Sequence, residues 1–95
     1  MRIDKDPAKE APNRRKHGLD FSFALGMLQD PLAMTVYNRY EGGEHRWFCV
    51  GRIGELVLVM VHTYPDRRDQ NWVRVISLRK ATSHERRHYE RFGDT

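Results

Sequence analysis

The sequence has a single cysteine, Cys49. It cannot close an internal disulfide, and metal sites built on clustered cysteines are excluded. Its neighbours are apolar, which fits an inert core thiol in a reducing compartment, so we expect the cytoplasm. Long hydrophobic runs are missing too. The longest, residues 56–61, is far too short to span a bilayer. No secretory leader is visible, because residues 1–6 already carry four charges. Repeats, low-complexity segments and linkers are absent as well. The 95 residues leave room for one domain, 1–95. A chain of this length buries only about two-thirds of its unfolded surface, so the core is small.

What is abundant is charge. Charged residues make up 32% of the chain, against about 25% in an average domain. Of the 17 basic residues, 13 are arginine. The guanidinium is a planar fork that grips phosphate or carboxylate through paired hydrogen bonds. This composition points to an acidic partner, nucleic acid or protein, with a merely solvated basic surface as the plain alternative.

The spacing of apolar and turn residues predicts an α+β domain. Residues 1–4 can form a short edge strand. Asp6-Pro7 reads as an N-cap followed by proline at the first helical position, and Gly18 as the left-handed stop. Pro12 lies inside this helix and predicts a kink or local break. Asp20 can cap a second helix with Phe21, Ala24, Leu25 and Leu28 as its apolar stripe, ended by Asp30-Pro31. Strands are predicted over 33–39, 46–52, 56–62 and 72–80, separated by turns at 41–44 and Gly54 and by a polar loop over 65–71. The run from Leu56 is apolar at every position, as in a central strand buried on both faces. Short connections imply a four-stranded antiparallel meander, with a helix pair before it and one helix after it. Thr82 and Glu85 fit a capping box for that last helix, and Tyr89 and Phe92 share its inward face.

Several groupings carry chemistry. His84-Glu85-Arg86-Arg87-His88 matches H-E-x-x-H, which on a helix sets two histidines one turn apart for zinc. Its two central arginines would repel a cation, and Glu85 already has a capping role. The basic run at Arg14, Arg15, Lys16 and His17 sits where cations offset the helix macrodipole. For Arg14 and Arg15 that role is favoured; for Lys16 and His17 phosphate contact, with His17 as a proton carrier, weighs about equally. Arg46, Arg74 and Arg79 lie in strands, where an arginine needs a carboxylate, a partner chain or a polar cleft. Glu44 and Glu85 are available as partners. Period 2 puts Arg74 and Arg79 on opposite faces unless a bulge intervenes. Trp47 and Trp72 are expected in the core rather than as stacking platforms.

An ordered set of short motifs runs through nearly the whole chain. It comprises Asp6-Pro7-Ala8-Lys9, Asn13, Lys16-His17-Gly18-Leu19-Asp20-Phe21, Asp30-Pro31, Glu44 with Arg46-Trp47, and Gly51. It continues as Arg74-Val75-Ile76-Ser77, Arg79-Lys80-Ala81-Thr82, Glu85-Arg86 and Tyr89. This set resembles the BrnT-type toxins of bacterial toxin–antitoxin systems. Two positions depart from the pattern: Leu78 replaces an alanine, and Pro12 interrupts the first helix. The resemblance implies a RelE-like fold and ribonuclease activity that inhibits translation. It also implies an antitoxin of the BrnA type with a ribbon-helix-helix DNA-binding region, pairing with the toxin as a heterotetramer on promoter DNA. On that reading Arg79 and Arg74, with Arg46 in support, stabilise charge on phosphate. His17 is the acid/base candidate, and Glu85 either acts as base or holds Arg79. Lys16, Lys80 and Arg86 contact the RNA backbone, in solution or on the ribosome. No cofactor, metal or membrane is expected. The alternatives are a non-catalytic basic binding module and, through His84 and His88, a zinc hydrolase.

Overall fold

The computed structural model describes residues 1–93. The elements in chain order are β1 (Arg2–Lys5), α1 (Pro7–His17), α2 (Phe23–Leu28), β2 (Met34–Glu41), β3 (Glu44–Ile53), β4 (Leu56–Thr63), β5 (Trp72–Lys80) and α3 (Ser83–Gly93). The strands form one five-stranded sheet in the order β1-β5-β4-β3-β2. Strands β2 to β5 make the expected antiparallel meander. The sheet as a whole is mixed, however, because β1 adds to β5 in parallel and makes a fifth strand. The four-stranded description is therefore corrected. An aspartate on β1 rewards the pairing: Trp72 Nε1 donates to Asp4 Oδ2 at 3.0 Å.

As the continuous apolar run predicted, β4 is the middle strand, with Leu58, Val59 and Met60 buried. Its even-numbered side chains face α1 and α2. There Leu58 and Met60 join Leu19, Phe21, Ala24, Met27, Cys49, Val75 and Leu78 in the core. Burial pushes the Cys49 thiol up, as suits an inert core residue. Gly51 is where β3 meets α2, since a Cβ there would stand 3.0 Å from the Met27 carbonyl oxygen. The β2–β3 turn places both Gly42 and Gly43 at positive φ, 60° and 80°, the geometry that tight hairpins favour.

Four local expectations change. Helix α1 runs from Pro7 to His17 without a break at Pro12. Pro12 and Ala8, whose carbonyl loses its partner, are both exposed, so the freed acceptor is open to solvent. Asp20 does not cap α2, whose N-cap is Ser22. Asp20 accepts instead from the Ser22 backbone at 2.8 Å and from its hydroxyl, in the turn that buries Phe21. Leu25, predicted to face inward, is exposed, and Met27 takes its place in the core. In α3, Tyr89 is buried and its hydroxyl donates to Asp30 Oδ2 at 2.5 Å. Phe92 is 53% exposed, against expectation. The helix packs on the sheet mainly at β3.

Candidate active site on the open sheet face

The sheet face opposite α1 and α2 carries the candidate residues, and a single irregularity decides which ones. In the β4–β5 ladder Val61 pairs with Ser77, but the next residue, His62, pairs with Val75. Ile76 is the extra residue of a β-bulge, and it shifts the side-chain alternation by one. Arg79 therefore sits beside Val59, and Arg74 beside Thr63. Both neighbours are odd-numbered residues of β4, so both arginines lie on the open face. Simple alternation would have separated them.

Arg79 is held tightly. Its Nη1 and Nη2 donate to the two carboxylate oxygens of Glu85 at 2.7 and 2.9 Å. Glu85 reaches this position from the first turn of α3 because the predicted capping box forms. The Thr82 amide donates to Glu85 Oε1 at 2.8 Å, and the Glu85 amide donates to Thr82 Oγ1 at 3.2 Å. Hydrogen bonds from Arg79, outweighing desolvation, bring the Glu85 carboxyl down to about 2. The same bonds raise the Arg79 pKa. A carboxylate that gives up its proton so readily is a weak base, so this geometry suits Glu85 to positioning.

Across the sheet, Arg46 and Arg74 occupy the other end of the same face. The two ends are about 13 Å apart along β4, taking the strand rise from Val59 to Thr63. Arg46 Nη1 donates to Glu41 at 3.1 Å, while its Nε is buried with no partner among the described residues. Arg39, cross-strand from Arg46, shares Glu41 at 2.8 Å. Arg74 stands 3.8 Å from Asp4 and 4.0 Å from Glu44, the limit of an ion pair. Thr63 Oγ1, buried, also lacks a partner among the described residues.

Other candidates lie elsewhere. His17 is half-buried and Lys16 exposed at the C-terminal end of α1, in the layer behind the sheet. Helix α1 runs in the direction of β5, from Lys9, which borders a cavity with Arg74 and Ile76, to Asn13 at Leu78. His17 therefore lies towards the rim of the sheet where β5 ends in Arg79 and Lys80. None of the hydrogen bonds or ion pairs of the described residues joins it to Arg79. Lys80 pairs with Leu58, on the side of α1. Arg86, exposed on α3, donates through Nε to Glu90 at 2.8 Å. His84 and His88 line an apolar groove of about 280 Å³ with Val36, Phe48 and Val50. Among the described residues no three of His, Cys, Asp and Glu gather as a metal-holding group, so the H-E-x-x-H match lacks a third ligand.

Two supporting features escaped the sequence reading. Asn13 lies along the edge of β5 left free once β1 has ended. It accepts from the Leu78 amide at 3.0 Å and donates to the Leu78 carbonyl at 2.9 Å, as a neighbouring strand would. Asp30 ties three elements together, accepting from the Leu32 and Arg52 amides, both at 2.9 Å, and from Tyr89. The two tryptophans are not core residues either: both are half-buried and border an open cleft. That cleft exists because the β2–β3 hairpin and the β4–β5 loop project past the end of β4, which local pattern does not reveal.

Fold and site together define a small basic α+β domain with an open sheet face that displays several arginines, one of them buttressed. The chain belongs to the BrnT family, the ribonuclease toxins of type II toxin–antitoxin systems, whose family model matches residues 6–85. It is thus a ribonuclease toxin with an antitoxin as its partner. No curated protein matches it. No helix among the described residues is long and apolar enough to cross a membrane.

Proposed function

We propose that the protein is a metal-independent endoribonuclease that cuts RNA by attack of the 2′-hydroxyl on the adjacent phosphorus. The 2′-oxygen gains a bond to phosphorus, the 5′-oxygen leaves, and a 2′,3′-cyclic phosphate and a 5′-hydroxyl result. The protein has to align the phosphate, offset the extra negative charge, and move one proton off and one on. The observation that carries this reading is the buttressed Arg79. Its guanidinium is fixed by two bonds to a carboxylate that is itself held by a helix cap. A cation placed before substrate arrives costs little reorganisation as charge develops on phosphorus. Arg46 and Arg74 hold the chain at other phosphates. His17 moves protons, with Lys16, Lys80 and Arg86 along the path of the backbone. Glu85 positions Arg79 rather than acting as base. The antitoxin carries a ribbon-helix-helix region, and the pair assembles as a heterotetramer in the cytoplasm.

The test is cleavage of single-stranded RNA in EDTA by the wild type and by Arg79→Ala, after circular dichroism has established that both fold. We expect product from the wild type and a loss of at least 100-fold in the variant, the scale of removing one charge-stabilising donor. A folded Arg79→Ala that cleaves at the wild-type rate removes Arg79 from the mechanism. Activity that vanishes in EDTA and returns with added metal sinks the metal-free reaction. Cleavage that appears only when ribosomes are added keeps the chemistry and makes the ribosome part of the active complex.

A further inference from the structure

The cleft bordered by the two tryptophans has an unusual lining. It lies between the tip of the β2–β3 hairpin and the β4–β5 loop, with a volume of about 880 Å³. Tyr37, Trp47, Tyr64 and Trp72 line it together with Arg67 and Arg74. The aromatic rings meet at edges instead of stacking. Tyr37 and Trp47 are inclined at 86° with centroids 5.2 Å apart, and Trp47 and Tyr64 at 64° and 5.7 Å. An edge-to-face contact occupies one face of one ring only, and Tyr37 stays 49% exposed beside it. Trp72 already carries a cation on one face, the Arg2 guanidinium at 4.1 Å from the ring centroid.

The polar groups fit the same occupant. Arg67 is exposed and makes no ion pair among the described residues. Arg74 is shared loosely between Asp4 and Glu44. Gln70 adds an amide that can donate and accept at a base edge. Glu44 also lines the cleft, and its charge is matched by Arg74. Open aromatic faces interleaved with arginines are the chemistry that holds single-stranded nucleic acid, with stacking for the bases and cations for the backbone.

We propose that this cleft receives an unstacked base of the RNA, a few nucleotides along the chain from the phosphate at Arg79. The inference rests on the ribonuclease reading for the identity of the strand. It adds a base-binding subsite at the far end of the sheet, reached past Arg74, which links the cleft to the open face. The subsite gives the enzyme a means of choosing where along an RNA it cuts.

The chain has only two tryptophans, and both border this cleft, so selectively excited tryptophan fluorescence reports on it. The probe is a single-stranded oligoribonucleotide methylated at every 2′-oxygen, which can bind and cannot be cut, with a series carrying one abasic position each. Binding is followed in parallel by anisotropy of a labelled copy. We expect tryptophan quenching at saturation and about tenfold weaker binding for one abasic position. Tyr37→Ala, at a half-exposed residue, should weaken binding about tenfold as well, and the same abasic position should then cost nothing more. Saturable anisotropy without quenching overturns the proposal, as does an unchanged affinity in both Tyr37→Ala and Arg67→Ala. Quenching by the antitoxin with none by RNA overturns it too, and makes the cleft a protein contact. The two readings fail separately. Quenching with the abasic signature, but no product from unmethylated RNA, sinks the cleavage mechanism and keeps the cleft. Product without the signature does the reverse.

Discussion

Arg79 and Arg74 project from one strand onto one face, yet they are held in opposite ways. Arg79 has both terminal nitrogens on one carboxylate, and Glu85 is locked by the capping box of α3. Behind it, Asn13 occupies the backbone edge at Leu78, one residue away. At the other end, Arg74 sits at the distance limit of two carboxylates. On the same face lie two polar side-chain atoms that are buried without a partner among the described residues, Arg46 Nε and Thr63 Oγ1, while His62, whose ring nitrogens also lack one, lies at this end of β4 on the side of α1 and α2. An unmade hydrogen bond in the interior costs about 1–3 kcal/mol, so the second end is maintained at some expense. A braced arginine is suited to meeting charge that appears briefly in one place. Loosely held arginines are suited to adapting to a bound chain.

The largest effect should come from removing the brace. In Asn13→Ala the Leu78 amide and carbonyl lose both partners in a buried setting. We expect a loss of about 2–4 kcal/mol, read by urea unfolding. A loss below 0.5 kcal/mol would mean that water replaces Asn13, and the contrast between a braced and a loose end would weaken. The next effect belongs to His62, at the Arg74 end of β4 but on the opposite face of the sheet. Burial takes His62 down to about 4 from an ordinary value of 6.5. The unfolded chain binds this proton as pH falls below 6.5, while the folded chain resists until about pH 4. The stability that His62 contributes as a neutral group is thus complete above pH 6.5 and lost as pH falls to 4, on the order of 2–3 kcal/mol. Urea unfolding at pH 7 and pH 4.5 should show this slope in the wild type and little of it in His62→Leu. Glu85 does not confuse the measurement. Its folded value is also lowered, but its window runs from its ordinary 4.5 down to about 2. An equal slope in His62→Leu would assign the effect to other groups.

The meander, the central position of β4, the turn glycines and the Thr82–Glu85 box were legible because each depends on residues close in sequence. Asp6 and Pro7 marked the start of α1 for the same reason. What was not legible depends on distant pairing. The bulge at Ile76 arises from the match of two ladders, and nothing in Arg74-Val75-Ile76-Ser77 announces it. Without it, Arg74 and Arg79 fall on different faces, so the composition of the candidate site was undecidable from period alone. The parallel addition of β1 and the strand-like role of Asn13 are likewise properties of an edge. Leu78, which departs from the family pattern, is simply core. Trp47 and Trp72 were misjudged because aromatic residues in strands usually pack inward, while here two projecting loops leave them beside open space.

Smaller effects sharpen the comparison in function. Glu85→Gln removes the charge that holds Arg79 and leaves a side chain of the same size. We expect kcat about tenfold lower and RNA binding undiminished, since the guanidinium gains freedom without losing charge. A collapse in kcat as deep as that of Arg79→Ala would return Glu85 to the role of base.

Arg74→Ala should do least and separate the two ends most cleanly. If Arg74 only holds a phosphate, its loss weakens binding to all RNA sequences alike, by a few-fold. It also lowers the slope of log affinity against log salt by about 1. At saturating RNA the cleavage rate should stay near wild type, because the charge developing on phosphorus is met by Arg79, about 13 Å away along the strand. Titrations at several salt concentrations, with single-turnover rates at saturation, give both quantities from one preparation. A rate at saturation that falls 100-fold would place Arg74 at the reacting phosphate, and the two ends of the face would then be one site.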